Sequence, residues 1–178
     1  MDNQTKAVLG SWIQAIGTIL AATGSTPFKS LSDELKNALN LIGNVMQGTG
    51  NALIADTIES VNLNKVGNQI QAVGNSTVVA GILIDSNSRI SQILNIDGNW
   101  LQALGGSASL GDAFEQTPSE EQLYNIYGNL LQVIGNSLQA VSGVKELKDE
   151  EAQNLNVVGS WIQAVGSVIS AIGQTKYP

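Results

Sequence analysis

Apolar residues recur along this chain at spacings of three and four, and a glycine returns at every seventh place beside them. The stretch from Gly10 reads GSWIQAIGTILAATG, and the stretch from Gly159 reads GSWIQAVGSVISAIG. Counting the first glycine of each block as zero, offsets −4, −1, +3 and +6 carry Leu39, Ile42, Met46 and Thr49 in one copy. They carry Leu63, Val66, Ile70 and Val73 in the next, and Leu155, Val158, Ile162 and Val165 in the last. Strands alternate with period two, so this spacing predicts helices, with the apolar positions forming the seam along which helices pack. The pattern and its breaks predict helices over residues 4–22, 31–58, 60–83, 88–104, 118–142 and 146–173. The fold class is all-α: five or six antiparallel helices in a bundle or short α-solenoid.

The block has the form Gly-(Asn/Ser)-x-apolar-Gln-x-x-Gly and occurs six times, beginning at Gly10, Gly43, Gly67, Gly98, Gly128 and Gly159. Its second glycine is Gly17, Gly50, Gly74, Gly105, Gly135 and Gly166. Block-to-block spacings of 33, 24, 31, 30 and 31 residues suit one helix and one connection per repeat, and so a single repeat domain over residues 1–178. An interior glycine costs a helix about 1 kcal/mol relative to alanine. Twelve such costs need an offset. Without a Cβ at these positions, neighbouring helices can approach more closely than the usual 8–10 Å between axes. These glycines are therefore the candidates for close helix contact.

The same block repeats a row of amides. Every copy keeps the glutamine at +4, namely Gln14, Gln47, Gln71, Gln102, Gln132 and Gln163. Five copies place an asparagine at −3, namely Asn40, Asn64, Asn95, Asn125 and Asn156, and the first copy has Ala7 there. Positions −3 and +4 share one helix face. That face is either a neutral solvated surface or a row of amides that pair with one another across contacts, since an amide both donates and accepts. Trp12, Trp100 and Trp161 share offset +2 and are candidate interface anchors; a ligand-stacking ring is the alternative.

Helix ends are expected where polar and breaking residues collect. Thr117 with Pro118 and Glu120 reads as an N-terminus, as does Ser30 or Ser32 with Asp33 and Glu34. Gly143 reads as a stop, with Glu146, Asp149, Glu150 and Glu151 loading the next helix. Asp85–Ser88 reads as a turn. Residues 51–66 contain neither proline nor glycine, so the second and third blocks either share a long helix or turn at Asp56–Ser60. Residues 104–118, with Gly105, Gly106 and Gly111 close together, are expected to form the longest loop.

Composition narrows function more than it defines it. Only 13% of residues are charged, the net charge is −7, and cysteine and histidine are absent. This excludes disulfides, thiolate and imidazole chemistry and the usual zinc ligands. The eight basic residues are scattered, so no nucleic-acid footprint is present. Asp97 and Lys6 are the only charges at seam positions, and both are expected near helix ends where they reach water. The acidic runs lack the spacing of a calcium loop and serve first as caps. No nucleophile or phosphate-binding motif stands out, and no metal, cofactor or catalysis is expected. The apolar start is read as a structural repeat and not as an export signal, because nearly the same segment recurs from Val158. Segments of about twenty residues with few charges suit a bilayer span. The amide in every block and a mean hydropathy of +0.08 weigh against insertion.

The start MDNQTKAVLGSWIQAIGTILAATGSTP, with GNWLQALG and GNLLQVIGNSLQA further on, resembles a family of uncharacterised repetitive proteins of Bacillus-type bacteria. The resemblance covers almost the whole chain and implies a bacterial source, with no assigned activity and no functional residues. The expected role is a non-enzymatic, self-associating structural protein of the cytoplasm, an oligomer or filament subunit in which near-identical first and last blocks meet head to tail. A membrane-active helical protein and a small-molecule binder are the alternatives.

Overall fold

The computed structural model describes residues 1–84 and 88–177. Among them it forms six helices: α1 (Asn3–Ser25), α2 (Asp33–Thr57), α3 (Leu63–Leu83), α4 (Arg89–Glu115), α5 (Glu120–Glu146) and α6 (Gln153–Lys176). Five of the six start on a side-chain cap. Asp2, Ser32, Asn62, Ser88 and Ser119 each accept a hydrogen bond from the backbone N–H three residues on. Each cap satisfies an otherwise orphaned donor and contributes about 1 kcal/mol. The hydrogen bond from the Thr5 amide also holds the Asp2 carboxyl below the ordinary range.

Three expected boundaries are corrected. The cap before α5 is Ser119 and not Thr117, so Pro118 lies outside the helix. α5 runs past Gly143 to Glu146 and ends in a tight turn in which Asp149 has φ 60°. Of the acids expected to load α6, Glu146 is the last residue of α5 and Asp149, Glu150 and Glu151 lie in the connection, where Glu150 pairs with Lys145, and α6 starts at Gln153 without a side-chain cap. The largest correction is α4, which continues through the expected loop to Glu115. Gly105 and Gly106 are points of helix packing there, not breaks: Gly105 meets α3 and Gly106 meets Val133 of α5. α2 and α3 are separate helices joined by a short turn capped at Asn62. The turn expected at Asp85–Ser88 lies mostly outside the described residues; Ser88 itself caps α4.

The helices form a closed antiparallel ring. Each packs on its two neighbours in chain order, α6 packs back on α1, and among the described residues no helix packs on one across the ring. The interfaces alternate. α1 with α2, α3 with α4, and α5 with α6 make the extensive ones, so the ring is three tight hairpins joined by three lighter interfaces.

The tightness comes from the glycines, which meet in reciprocal antiparallel pairs. Gly10 faces Gly50 and Gly17 faces Gly43 between α1 and α2; Gly67 faces Gly105 and Gly74 faces Gly98 between α3 and α4. Gly128 faces Gly166 and Gly135 faces Gly159 between α5 and α6. A methyl group at Gly17 would lie 2.6 Å from the Gly43 carbonyl oxygen, and one at Gly43 equally close to the Gly17 oxygen. Every one of the block glycines has a neighbouring atom within 3.0 Å of where its Cβ would stand. Dispersion attraction between the two main chains at each pair offsets the propensity cost.

Gly166→Ala places a methyl 2.7 Å from the Gly128 carbonyl oxygen and 2.9 Å from the Gln132 amide nitrogen. It is predicted to lower stability by about 1–3 kcal/mol through overpacking, and Gly166→Leu by more. Gly111→Ala, whose methyl meets only Leu63 at 3.6 Å, is predicted to raise stability by about 0.4–1 kcal/mol. Urea unfolding of the two variants beside the parent chain checks the contrast.

Candidate functional site

The main concentration of polar side chains away from the helix ends lies on the axis of the ring. In antiparallel neighbours a glycine at 0 faces a glycine at +7, so the +4 glutamines of all six helices fall near one level. Side chains lean toward the N-terminus of their own helix. The glutamines therefore separate into two layers of three: Gln14, Gln71 and Gln132 from α1, α3 and α5, and Gln47, Gln102 and Gln163 from α2, α4 and α6. All six are buried.

Hydrogen bonds within the layers reach between helices that do not pack on each other. Gln14 Nε2 donates to Gln132 Oε1 at 2.8 Å in the first layer. In the second, Gln163 Nε2 donates to Gln47 Oε1 at 2.8 Å and to Gln102 Oε1 at 3.2 Å. Gln139 Nε2 of α5 completes the cluster by donating to Gln163 Oε1 at 2.9 Å. Where the layers meet the α1–α6 interface, the hydroxyls of Thr18 and Ser167 pair at 2.5 Å. Of the two readings of the amide row, the structure shows the buried one for all six glutamines and mutual pairing for five, Gln71 being buried without a glutamine partner among the described residues. The −3 asparagines Asn40, Asn64, Asn95, Asn125 and Asn156 are half-buried nearer the ends.

Above the second layer the ring opens into a vestibule of about 340 Å³. Asn40, Asn44, Asn95, Asn99 and Asn156 from the starts of α2, α4 and α6 line it, with Ser25, Ser91, Ser142 and Gln139 from neighbouring helices. Its floor is Gln47, Gln102 and Gln163, and its one charged lining residue among those described is Glu146.

The −1 and +6 half of the seam expected to pack the helices together faces outward, whereas the −4 and +3 half is mostly half-buried, with Met46 and Leu131 against Gly17 and Gly166. Leu9 and Ile16, Ile42, Val73, Leu104, Tyr127 and Ile134, and Val158 and Val165 all sit at offsets −1 or +6, and all are exposed; Val73 is 57% and Val165 52% accessible. The physical reason is space. Helices that touch backbone to backbone leave no room for a leucine between them or on a narrow axis, so bulky side chains turn outward and small or amide ones inward. The largest fully buried side chains are Gln47, Asn51, Asn75 and Asn136, followed by threonine and serines. The protein is inside out relative to an ordinary water-soluble bundle.

Nearly every charge lies at the ends. Among the described residues, each charged one apart from Asp97 is in a connection or within four residues of a helix terminus. Lys6 pairs with Asp56 and Lys36 with Asp33 there. Asp97 is the exception, exposed in the third turn of α4, so the expectation that it stands near a helix end is not met. Exposed hydroxyls on the belt are satisfied by their own helix: Thr49 donates to the Val45 carbonyl, Ser76 to Ala72, and Thr23 to Ile19. Trp12 and Trp161 stand on the outside of the α1–α6 interface and tie it, their indole N–H groups donating to Thr175 at 2.9 Å and Thr26 at 3.0 Å. Trp100 is on α4 across the ring, so the three tryptophans form no common pocket.

By length and composition, α1 and α6 among the described residues are apolar enough to cross a membrane, and only 39% of the α6 window is buried. The fold and axis define a class: a closed ring of three glycine-joined helical hairpins around an amide core, with an apolar exterior. Residues 5–171 match the family of unknown function DUF6944, and the chain belongs to that family. Searches of curated proteins and of solved structures found no match.

Gln163→Ala would leave Gln47 Oε1, Gln102 Oε1 and Gln139 Nε2 short of their partner. It is predicted to cost about 1–3 kcal/mol, the penalty for stranding buried polar groups. Gln69→Ala, on the exposed face of α3, should change stability by less than about 0.5 kcal/mol. Thermal unfolding of both variants measures the difference.

Proposed function

We propose that the chain inserts into a lipid bilayer as a closed six-helix ring, its apolar belt in the hydrocarbon and its amides on the axis. One observation carries this reading: the exposed apolar residues run all the way round the ring, on all six helices, between two charged ends. Water-soluble monomers rarely expose contiguous apolar patches above about 300–600 Å². A protein partner docking on one side would leave the rest of this belt in water, whereas a bilayer covers every side at once. The dimensions agree. Outside α4, which carries Asp97, the shortest stretches free of charge are residues 37–55 and 66–84. Each spans about 28 Å of helix at 1.5 Å per residue, against a hydrocarbon core of about 30 Å. Internal satisfaction of the belt hydroxyls and of the indole donors of Trp12 and Trp161 supports the same environment, where an unpaired donor is costly.

The second reading is the self-associating, non-enzymatic structural protein, with other copies covering the belt in water. Asp97 favours it, because a carboxylate in mid-bilayer costs about 2.5–3.5 kcal/mol on insertion scales. Head-to-tail joining of first and last blocks would require the ring to open, since α1 and α6 already meet within one chain. The resemblance to proteins of Bacillus-type bacteria makes a bacterial membrane, in place of the cytoplasm, the relevant location for the bilayer reading.

Flotation with vesicles of phosphatidylethanolamine and phosphatidylglycerol tests the proposal. Cofloating protein whose tryptophan fluorescence is quenched by lipids brominated along the acyl chain is the expected result. Protein that stays below the vesicles and sediments as large particles in buffer would instead favour self-association. Asp97→Asn is predicted to raise the vesicle-bound fraction, and an unchanged or lower fraction would mean that Asp97 lies outside the hydrocarbon.

A further inference from the structure

The vestibule has the chemistry of a binding site, whether lipid or other copies cover the belt. Its lining is mostly polar, whereas pockets for drug-like ligands are lined mainly by apolar side chains. Its described lining holds no lysine or arginine and a single carboxylate, Glu146, which accepts a hydrogen bond from Ser142 at 3.2 Å. The uncommitted groups are of both kinds. On the floor, the side chains of Gln47 and Gln102 are each 2% exposed, and their Oε1 atoms accept from Gln163. Their Nε2 groups donate to no acceptor among the described residues, and both residues line the cavity. On the walls, Asn44 and Asn99 commit Nδ2 to the Asn40 and Asn95 carbonyls, at 2.9 and 2.8 Å, and their Oδ1 atoms accept no side-chain hydrogen bond among the described residues.

A site offering free amide donors below and free amide acceptors around suits groups that both accept and donate, which is the property of a hydroxyl. An anion would use only the donors and a bare cation only the acceptors. Val78, Ile82 and Ile96 add short apolar patches for the C–H faces of a carbon skeleton. The cavity of about 340 Å³ lies at the small end of the range for small-molecule pockets, about 300–1,000 Å³, and so suits a compact molecule such as a six-carbon polyol. We propose that the vestibule binds a small uncharged polyol, held by Gln47 and Gln102 from below and by Asn44 and Asn99 from the sides.

Saturation-transfer NMR with sorbitol on the full chain, dispersed in buffer or in micelles, tests this. Sorbitol is expected to receive saturation from the protein, while gluconate and protonated glucosamine, charged molecules of similar size, bind about tenfold more weakly. Gln102→Leu and Asn99→Leu, each checked for retained helicity by circular dichroism, are expected to weaken sorbitol about tenfold, the scale of losing a buried hydrogen-bond partner. Absence of transfer from the parent chain overturns the proposal, as does equal binding of gluconate, or undiminished binding by a folded variant. The comparison of sorbitol with gluconate needs no variant, so it decides even if both substitutions unfold the chain. Flotation reports on the bilayer reading separately, so failure of one leaves the other standing.

Discussion

Main chain meeting main chain at six glycine pairs is the constraint from which the rest of the structure follows. Two helices drawn that close leave little room for branched aliphatic side chains between them, Val78 against Gly98 being one that fits, and three such hairpins closed into a ring enclose only a narrow axis. Large apolar residues are displaced to the outside by geometry, although in water the hydrophobic effect alone would draw them in. What remains for the interior is mostly hydrogen, methyl, hydroxyl and amide, with Val78 and Ile96 as buried larger aliphatics: glycine where the helices touch, Ala15, Ala22, Ala140 and Ala164 beside them, and glutamine reaching into the middle.

Glutamine suits that middle position. Its side chain is long enough to bridge helices that do not touch, and its amide can take a neighbour as partner on each side, so a layer of three can satisfy itself. Buried polar groups are destabilising unless paired. A paired layer therefore rewards one register of the five helices whose glutamines pair and penalises its neighbours, because a slip along any of these would strand an amide. Gln14 with Gln132, and Gln163 with Gln47 and Gln102, fix the level of helices that otherwise do not touch. The glycines set how near neighbours stand, and the glutamines set how opposite members align.

Much of this was legible in the residue pattern and some was not, for definable reasons. The seven-residue return of glycine pointed to the twelve that meet in pairs, because no other common role requires a missing Cβ at regular intervals inside a helix, but not to Gly24, whose Cβ would stand 2.6 Å from the Lys36 carbonyl oxygen. Ser32 as a cap was readable as one of two candidates, with Ser30. Which face turned inward was not. Periodicity groups Leu9 with Ile16 and Gln14 with Ser11, but it assigns no direction, and the habit of placing aliphatic residues inside holds only for helices spaced normally in water. A signal was present nonetheless: neither face of the block carries the lysine and glutamate pairs that coat an exposed helix. The extension of α4 was missed because Gly105 and Gly106 resemble a break when local propensity is read without the α3 and α5 surfaces that hold them. The vestibule could not be read from the residue pattern, since it joins side chains of all six helices that lie far apart in the chain.

The interface between α6 and α1 is of the same kind as those between α2 and α3 and between α4 and α5, yet it is closed without any peptide linking the two helices. Connectivity and architecture are therefore separable in this protein. The three hairpins stand as similar staves of one barrel, and the seam between α6 and α1 is held by packing and by the hydrogen bonds of Trp12 and Trp161.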